Sequence, residues 1–350
     1  MDTSQFDYYL PPDLIAFHPP KKRDGGKLLV ADCANGSISH ENINKLYKFL
    51  PPNTLLIANN SKVIPARLNG TKPTGGTVEV LLVREEKKSE TSCRWTALCK
   101  ANKSIKTGDI ILIEDAVAIV AETGHRGEKL LSINCSSDHF RKIFTTAGKI
   151  PLPPYIKREA TQDDIDRYQT IYASPEGSVA APTAGLHLTE ELLKKIREQG
   201  HEISFVTLHV GPGTFRPITA DKLDEHVMDR EFFEISNETV LMIEKAKREN
   251  RPVIAVGTTS VRALEGSCLQ NDGNLKPGNG STEIFIKPPY SFNVIDGLLT
   301  NFHLPKSTLL CLVSALAGRE FILDSYKEAV ENKYRFYSYG DAMLILPNKK

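Results

Sequence analysis

The sequence predicts an α/β protein with a small all-β domain inserted into it, and three observations carry that prediction. At 350 residues the chain exceeds one average domain and can bury a sizeable core. From about Ala66 to Ile150 it is a succession of short β-like runs split by turn signals. Outside that stretch strand-like and helix-like segments alternate, as in layered α/β folds.

The elements follow in chain order. "NTLLIANN" reads as a short buried strand. In the β stretch, "GGTVEVLLV", "RWTALCKA", "GDIILIEDAVAIVAE" and "KLLSINC" are rich in Val, Ile, Leu and Thr. They are separated by "PTGG", "KTGD" and "TGHRGE". No helix of several turns interrupts them before Phe140, which predicts a small barrel or sandwich. "LTEELLKKIREQG" is a helix with Thr189 as N-cap, Glu190 and Glu191 in the first turn, and Gly200 just past the end. "HEISFVTLHVG" is a strand, "SNETVLMIEKAKREN" a helix, "RPVIAVG" a strand and "TTSVRALEGSC" a helix. "STEIFIK" is the next strand and "KSTLLCLVSALAG" the next helix. Residues 1–65 and 151–350 therefore form a discontinuous α/β domain, with 66–150 inserted.

Composition narrows the function. Forty-four Lys and Arg stand against 43 Asp and Glu, a formal net charge of +1, which argues against a nucleic-acid coat protein but not against a local basic face. The six cysteines are scattered without C-x-x-C or zinc-finger spacing, and read as free thiols in a reducing compartment. The N-terminus lacks a signal-peptide pattern, and "STLLCLVSALAG" is too short to span a bilayer. A soluble, cytoplasmic protein without a membrane partner or a metal is expected.

Several motifs nearly match and fail. "GPGTFR" lacks the third glycine of a dinucleotide fingerprint, and "PKST" lacks the glycines of a P-loop. No H-E-x-x-H and no G-x-S-x-G occurs. What remains is a set of polar loops at strand-to-helix switches, where open α/β folds place ligands. "AAPTAGLH" offers Thr183, Gly185 and His187. "TLHVGPGTFRP" offers His209, Gly211, Gly213 and Arg216. "VIAVGTTSVRALE" presents Thr258 and Thr259 at a helix N-terminus, and "DGLLTNFHLPKSTLL" brings Asn301, His303 and Lys306. Taken singly, Ser and Thr at a helix start are ordinary caps, and a lone His at a strand end is ordinary structure. Four such loops in one domain point to a convergent small-molecule pocket.

Two basic clusters, "PPKKRDGGK" with Lys21, Lys22, Arg23 and Lys27, and "PPYIKRE" with Lys157 and Arg158, are flanked by Phe17 and Tyr155. A solvated surface is the plain reading. The alternative is a phosphate-tracking groove with an aromatic platform for an unstacked base.

The blocks "FDYYLPPDLIA", "NNSKVIPARL", "IPLPPYIKR", "DRYQTIYA", "AAPTAGLH", "LHVGPGTFRP", "GTTSVRALE", "DGLLTNFHLPKSTLLCLVSALAG" and "RFYSYGDAMLI" resemble, in order from Phe6 to Ile345, the S-adenosylmethionine:tRNA ribosyltransferase-isomerases of queuosine biosynthesis. The resemblance implies a barrel-like α/β catalytic domain with an inserted β-barrel. It implies transfer of the ribosyl part of S-adenosylmethionine to 7-aminomethyl-7-deazaguanine at the tRNA wobble position. That gives epoxyqueuosine, with adenine and methionine released. S-adenosylmethionine is then a substrate; no other cofactor and a monomer are implied.

Such chemistry needs a base for the C5′ proton beside the sulfonium and a proton donor for departing adenine. His187 and His209 are the first candidates, and Glu231 a second base. Thr183, Thr258 and Thr259 suit the methionine carboxylate or ribose hydroxyls. Arg216, Arg262 and Lys306 suit a carboxylate or phosphate, and Asn301 and Asp341 a base edge.

The chain departs from the family pattern at Gly26 and Lys27, at Asp229 and Arg230, and at Pro289. Lys27 cannot copy a bidentate Arg fork. Two competing readings stay in view: a non-catalytic RNA-binding protein using the β insert, and an unrelated α/β enzyme acting on a free nucleotide or sugar phosphate.

Overall fold

The structure, a computed structural model, describes residues 1–347, without the side chains of His125 and Phe215. In chain order its first strands are β1 (Lys27–Asp32), β2 (Ser37–Asn42), β3 (Leu55–Asn59), β4 (Lys62–Val63) and β5 (Arg67–Thr71). Next come β6 (Thr77–Lys87), β7 (Cys93–Ala101), β8 (Ile110–Ile113), β9 (Ala116–Thr123), β10 (Glu128–Ile133) and α1 (Ser137–Ala147). The middle of the chain holds α2 (Gln162–Arg167), β11 (Glu176–Ser178), α3 (Glu190–Glu198), β12 (Glu202–His209), β13 (Glu231–Ile235) and α4 (Asn237–Arg248). The last third adds β14 (Val253–Val256), α5 (Thr258–Gln270), β15 (Gly278–Thr282), β16 (Gly297–Asn301), α6 (Thr308–Ala317), α7 (Arg319–Glu331) and β17 (Ala342–Leu346).

β5 to β10 close a six-stranded antiparallel barrel in the order β10-β7-β6-β5-β8-β9. The alternation along β6, with Val78, Val80 and Leu82 inward, is the period-2 pattern that a barrel wall requires. α1 plugs one end, packing Phe140 and Phe144 against Trp95. The remaining strands, β4 and β11 aside, form one mixed nine-stranded sheet, β15-β13-β12-β3-β14-β16-β17-β1-β2, with β15 and β2 as its two edges. This matches the α/β-plus-barrel class expected above; ring closure belongs to the insert alone.

The feature that positions the site is the parallel centre of the sheet. β12, β3, β14 and β16 run in the same direction, and every residue of β3, β14 and β16 is buried. Parallel strands covered on both faces read as continuous apolar runs, and their carboxyl ends open onto one edge. Asn59, His209, Gly257 and Asn301 stand at those four ends. β17 is antiparallel to β16, so the turn before Ala342 reaches the same edge.

One local expectation holds and two change. Thr189 does cap α3, accepting the Leu192 N–H at 3.1 Å. Thr258 and Thr259, however, are not caps. The N-cap of α5 is Gly257 at φ 87°, a backbone region that only glycine enters cheaply, and no side chain closes that helix end. The edge strand ends at Thr282 rather than extending to Lys287. Ile284 and Ile286 still alternate into the core, but no strand pairs with them.

One buried ion pair ties the segment around α2 to the C-terminal turn. The Asp164 carboxylate accepts from Arg158 (2.5 and 2.8 Å), the Thr161 N–H and hydroxyl (each 2.8 Å) and the Tyr339 hydroxyl (2.8 Å). Burial works to raise its pKa, but these donors outweigh burial and hold it well below the usual carboxylate range. Its contribution is therefore present above about pH 4 and is lost as pH falls through the lowered folded value. Asp164→Ala is expected to cost about 3–5 kcal/mol, because Arg158 loses its partner in a largely buried pair. Urea unfolding at neutral pH checks this; an unchanged midpoint would contradict it.

Candidate active site

At the carboxyl edge of the parallel strands lies a narrow cleft of about 70 Å³, or about 750 Å³ when the open space above it is included. It is lined by Thr183 and Ala184, by Thr214 and Arg216, by Gly257, Thr258 and Thr259, by Asn301 to Pro305 and by Tyr337–Ser338. Of the residues expected to bind substrate, Thr183, Arg216, Thr258, Thr259, Asn301 and His303 are thus brought together.

The cleft presents unused polar groups. Because Gly257 is the N-cap, the first N–H groups of α5 have no intrahelical acceptor. The Thr259 hydroxyl and the Asn301 Oδ1 are buried without a partner. Buried polar atoms are rarely left so, and a helix N-terminus favours an anion. The apolar lining, Val210, Phe302, Leu304 and Leu309, suits the body of an organic ligand.

His187 does not open into this cleft. It is 3 % exposed, its Nε2 accepts from the Asn301 amide at 3.1 Å, and the Arg23 backbone accepts from its other nitrogen. Burial lowers its pKa to about 4, so it is neutral and holds the Asn301 amide. His303 lines the cleft but is also buried, its pKa lowered to about 3, with Nε2 on the Thr300 hydroxyl at 3.0 Å.

His209 is different. It stands at the end of β12, its Nδ1 has no partner, and burial lowers its pKa. It faces a second groove, between the barrel residues Arg84, Trp95 and Arg141 and the sheet-side residues Glu176, Gly177 and Phe232. Val210 and the loop after it separate this groove from the cleft, and Val210 lines both. A neutral imidazole with a free ring nitrogen can take a proton at neutral pH.

Glu231 supports that loop. One carboxylate oxygen accepts from the Gly211 N–H (3.2 Å) and the Thr214 hydroxyl (2.7 Å); the other binds the Arg262 guanidinium. Both residues are buried. Through these bonds Glu231 and Arg262 anchor the Gly211–Arg216 loop, while the Arg262 Nε and Nη2 stay unpartnered. Gly213 packs against Asp229, where a Cβ would fall 1.7 Å from the carboxylate. Asp229, a departure from the family pattern, pairs with Arg216 at 3.3 Å and with Arg126 from the barrel. The other departure there, Arg230, pairs with Glu283.

Other expected site residues lie away from the cleft. Gly185 sits under Tyr172, whose hydroxyl a Cβ would meet at 2.2 Å. Lys306 is exposed and pairs with Asp7 at 2.8 Å. Asp341 is buried, with its two carboxylate oxygens taken by the Lys27 and Arg335 N–H groups at 3.0 and 2.7 Å. Gly211 faces the groove of His209.

In the basic clusters, Arg23 donates to the Asp166 and Gln169 carbonyls, Lys27 to the Asn332 and Lys333 carbonyls, and Arg158 to Asp164. These three hold the fold together, while Lys21, Lys22 and Lys157 are exposed. Tyr337, Ser338 and Phe302 line the cleft but were not singled out by sequence; three aromatic residues in "RFYSYG", just ahead of a strand, were the available signal.

Comparison with known proteins gives consistent results. The profile of a family described as "Queuosine biosynthesis protein" matches residues 3–345. An S-adenosylmethionine:tRNA ribosyltransferase-isomerase of Halothermothrix orenii is 48 % identical over 349 residues, covering 99 % of this chain and 100 % of the relative. The crystal structure of an S-adenosylmethionine tRNA ribosyltransferase from Thermotoga maritima superposes with a TM-score of 0.56 at 34 % identity, covering 98 % of this chain and 100 % of that one.

Proposed function

Because the chain belongs to the queuosine biosynthesis protein family, a family of tRNA-modifying transferases, we propose that it transfers and isomerises the ribosyl moiety of S-adenosylmethionine. The acceptor in this reading is 7-aminomethyl-7-deazaguanine at the tRNA wobble position. The products are epoxyqueuosine-tRNA, adenine and methionine. S-adenosylmethionine is consumed as a substrate and no further cofactor is invoked; a cytoplasmic monomer completes the proposal. Among the described residues no helix is long and apolar enough to cross a membrane.

The observation that carries the reading is the α5 N-terminus, without a side-chain cap, beside the unpartnered Thr259 hydroxyl and Asn301 oxygen, in a cleft that also presents the apolar groups of Val210, Phe302, Leu304 and Leu309. A methionine carboxylate suits free N–H groups at a helix start. Ribose hydroxyls suit Thr183, Thr259 and Asn301. His209, neutral and with a free nitrogen, is the candidate to take the C5′ proton that the sulfonium acidifies, from a ribose that reaches past Val210 into its groove. His187 holds Asn301 in orientation, and Glu231 with Arg262 holds the loop between His209 and the cleft.

Incubation with S-adenosylmethionine and tRNA carrying the 7-aminomethyl base tests the reading. Adenine is expected only when both are present. No adenine from correctly modified tRNA would overturn it.

A further inference from the structure

Three aromatic rings lead from the protein surface to the mouth of the cleft. Phe17 is 44 % exposed, and its ring centroid lies 6.1 Å from that of Tyr155. Tyr155 in turn lies 4.1 Å from Tyr337, which lines the cleft. Tyr337 has φ 76°, a left-handed conformation that is unusual for a bulky side chain. The turn is held by its N–H on the Phe302 carbonyl at 3.1 Å and by the Gly340 N–H on its own carbonyl at 2.9 Å. Tyr155 is oriented by its hydroxyl, which accepts the Ser338 N–H at 3.2 Å. A costly backbone conformation that places a largely buried ring in the lining of a ligand cleft points to function at that ring.

The outer end of this row carries free positive charge. Lys21, Lys22 and Lys157 are exposed and join no ion pair among the described residues, whereas Arg158, which donates to the Phe17 carbonyl, is committed to Asp164. A row of tilted aromatic rings with unpaired lysines nearby in sequence suits single-stranded nucleic acid: every base has a π-face, and lysines neutralise phosphates.

We propose that Phe17, Tyr155 and Tyr337 form a stacking path for unpaired RNA bases, which delivers the acceptor base to the cleft over the face bearing Lys21, Lys22 and Lys157. The path rests on the reading of tRNA as substrate. It assigns the RNA approach to the α/β domain rather than to the inserted barrel.

The test measures, on the full chain, the affinity of an anticodon stem-loop carrying the acceptor base and, separately, that of S-adenosylmethionine. Phe17→Ala and Tyr155→Ala should each weaken RNA binding by about 5- to 100-fold, the range for one base–aromatic stack. S-adenosylmethionine affinity should stay unchanged. Tyr155→Phe, which keeps the ring, should retain RNA affinity. Lys21→Ala, Lys22→Ala and Lys157→Ala should flatten the salt dependence of RNA binding. Phe17 is exposed, so its variant reports without disturbing the core. Wild-type RNA affinity in Phe17→Ala and Tyr155→Ala would overturn the path, as would a loss confined to S-adenosylmethionine in Tyr337→Ala. Wild-type protein that binds no such RNA would overturn the transferase reading beneath it.

Discussion

His209→Ala is expected to lower kcat/KM by about 10²–10⁴-fold while leaving S-adenosylmethionine affinity near the wild-type value. The residue ends β12 at the site edge, has an unpartnered Nδ1 and faces the groove separated from the cleft by Val210. Burial lowers its pKa, so the basic form persists to a pH below the ordinary imidazole value of about 6.5. Activity in the wild type should then decline only as pH falls below that value, and the decline should vanish from the residual rate of the variant. His187→Ala, one hydrogen bond removed from the cleft, should act through Asn301 and shift KM more than kcat. Near-normal turnover in His209→Ala would remove it from the mechanism.

Glu231→Ala carries the second large effect, on stability and activity together. It leaves Arg262 charged and buried, with its Nε and Nη2 already unpartnered, and should cost about 3–5 kcal/mol. It also frees the Gly211 N–H and the Thr214 hydroxyl, so the loop that carries Arg216 loses its anchor. Misplacement of such a loop by about 1 Å can cost 10²-fold in rate. A paired replacement, Glu231→Leu with Arg262→Met, should recover much of the stability, since buried ion pairs exchange for apolar packing at little net cost. It should not recover the rate. Thermal unfolding and kcat/KM measured on the same samples separate the two effects; full recovery of activity in the double variant would contradict the positioning role.

Much of this was legible in the residues. The barrel announced itself through alternating Val, Ile and Leu between Gly-rich turns, because a closed antiparallel wall imposes period 2. The four polar loops were legible because a parallel sheet delivers its strand ends to one edge, and Thr183, Thr259 and Asn301 do meet there. Which way each side chain points was not legible. His187 and Asp341 are polar residues in the right loops, yet one is closed off by Asn301 and the Arg23 backbone, and the other by the N–H groups of Lys27 and Arg335. Those partners lie far away in sequence, and periodicity carries no information about them. Arg23, Lys27 and Arg158 looked like phosphate ligands for the same reason, and the carbonyls and carboxylate they satisfy are set by the tertiary fold. α7, which follows α6 across Gly318 alone, went unread.

The most direct measurement follows the carbon skeleton. S-adenosylmethionine labelled in its ribose, and in a parallel sample in its methyl group, is incubated with the protein and tRNA bearing the 7-aminomethyl base; the tRNA is then digested to nucleosides. Ribosyl transfer predicts the ribose label in one modified nucleoside, with an equimolar release of adenine and the methyl label remaining in free methionine. Methyl label in the RNA, or ribose label left entirely in small molecules, would contradict it.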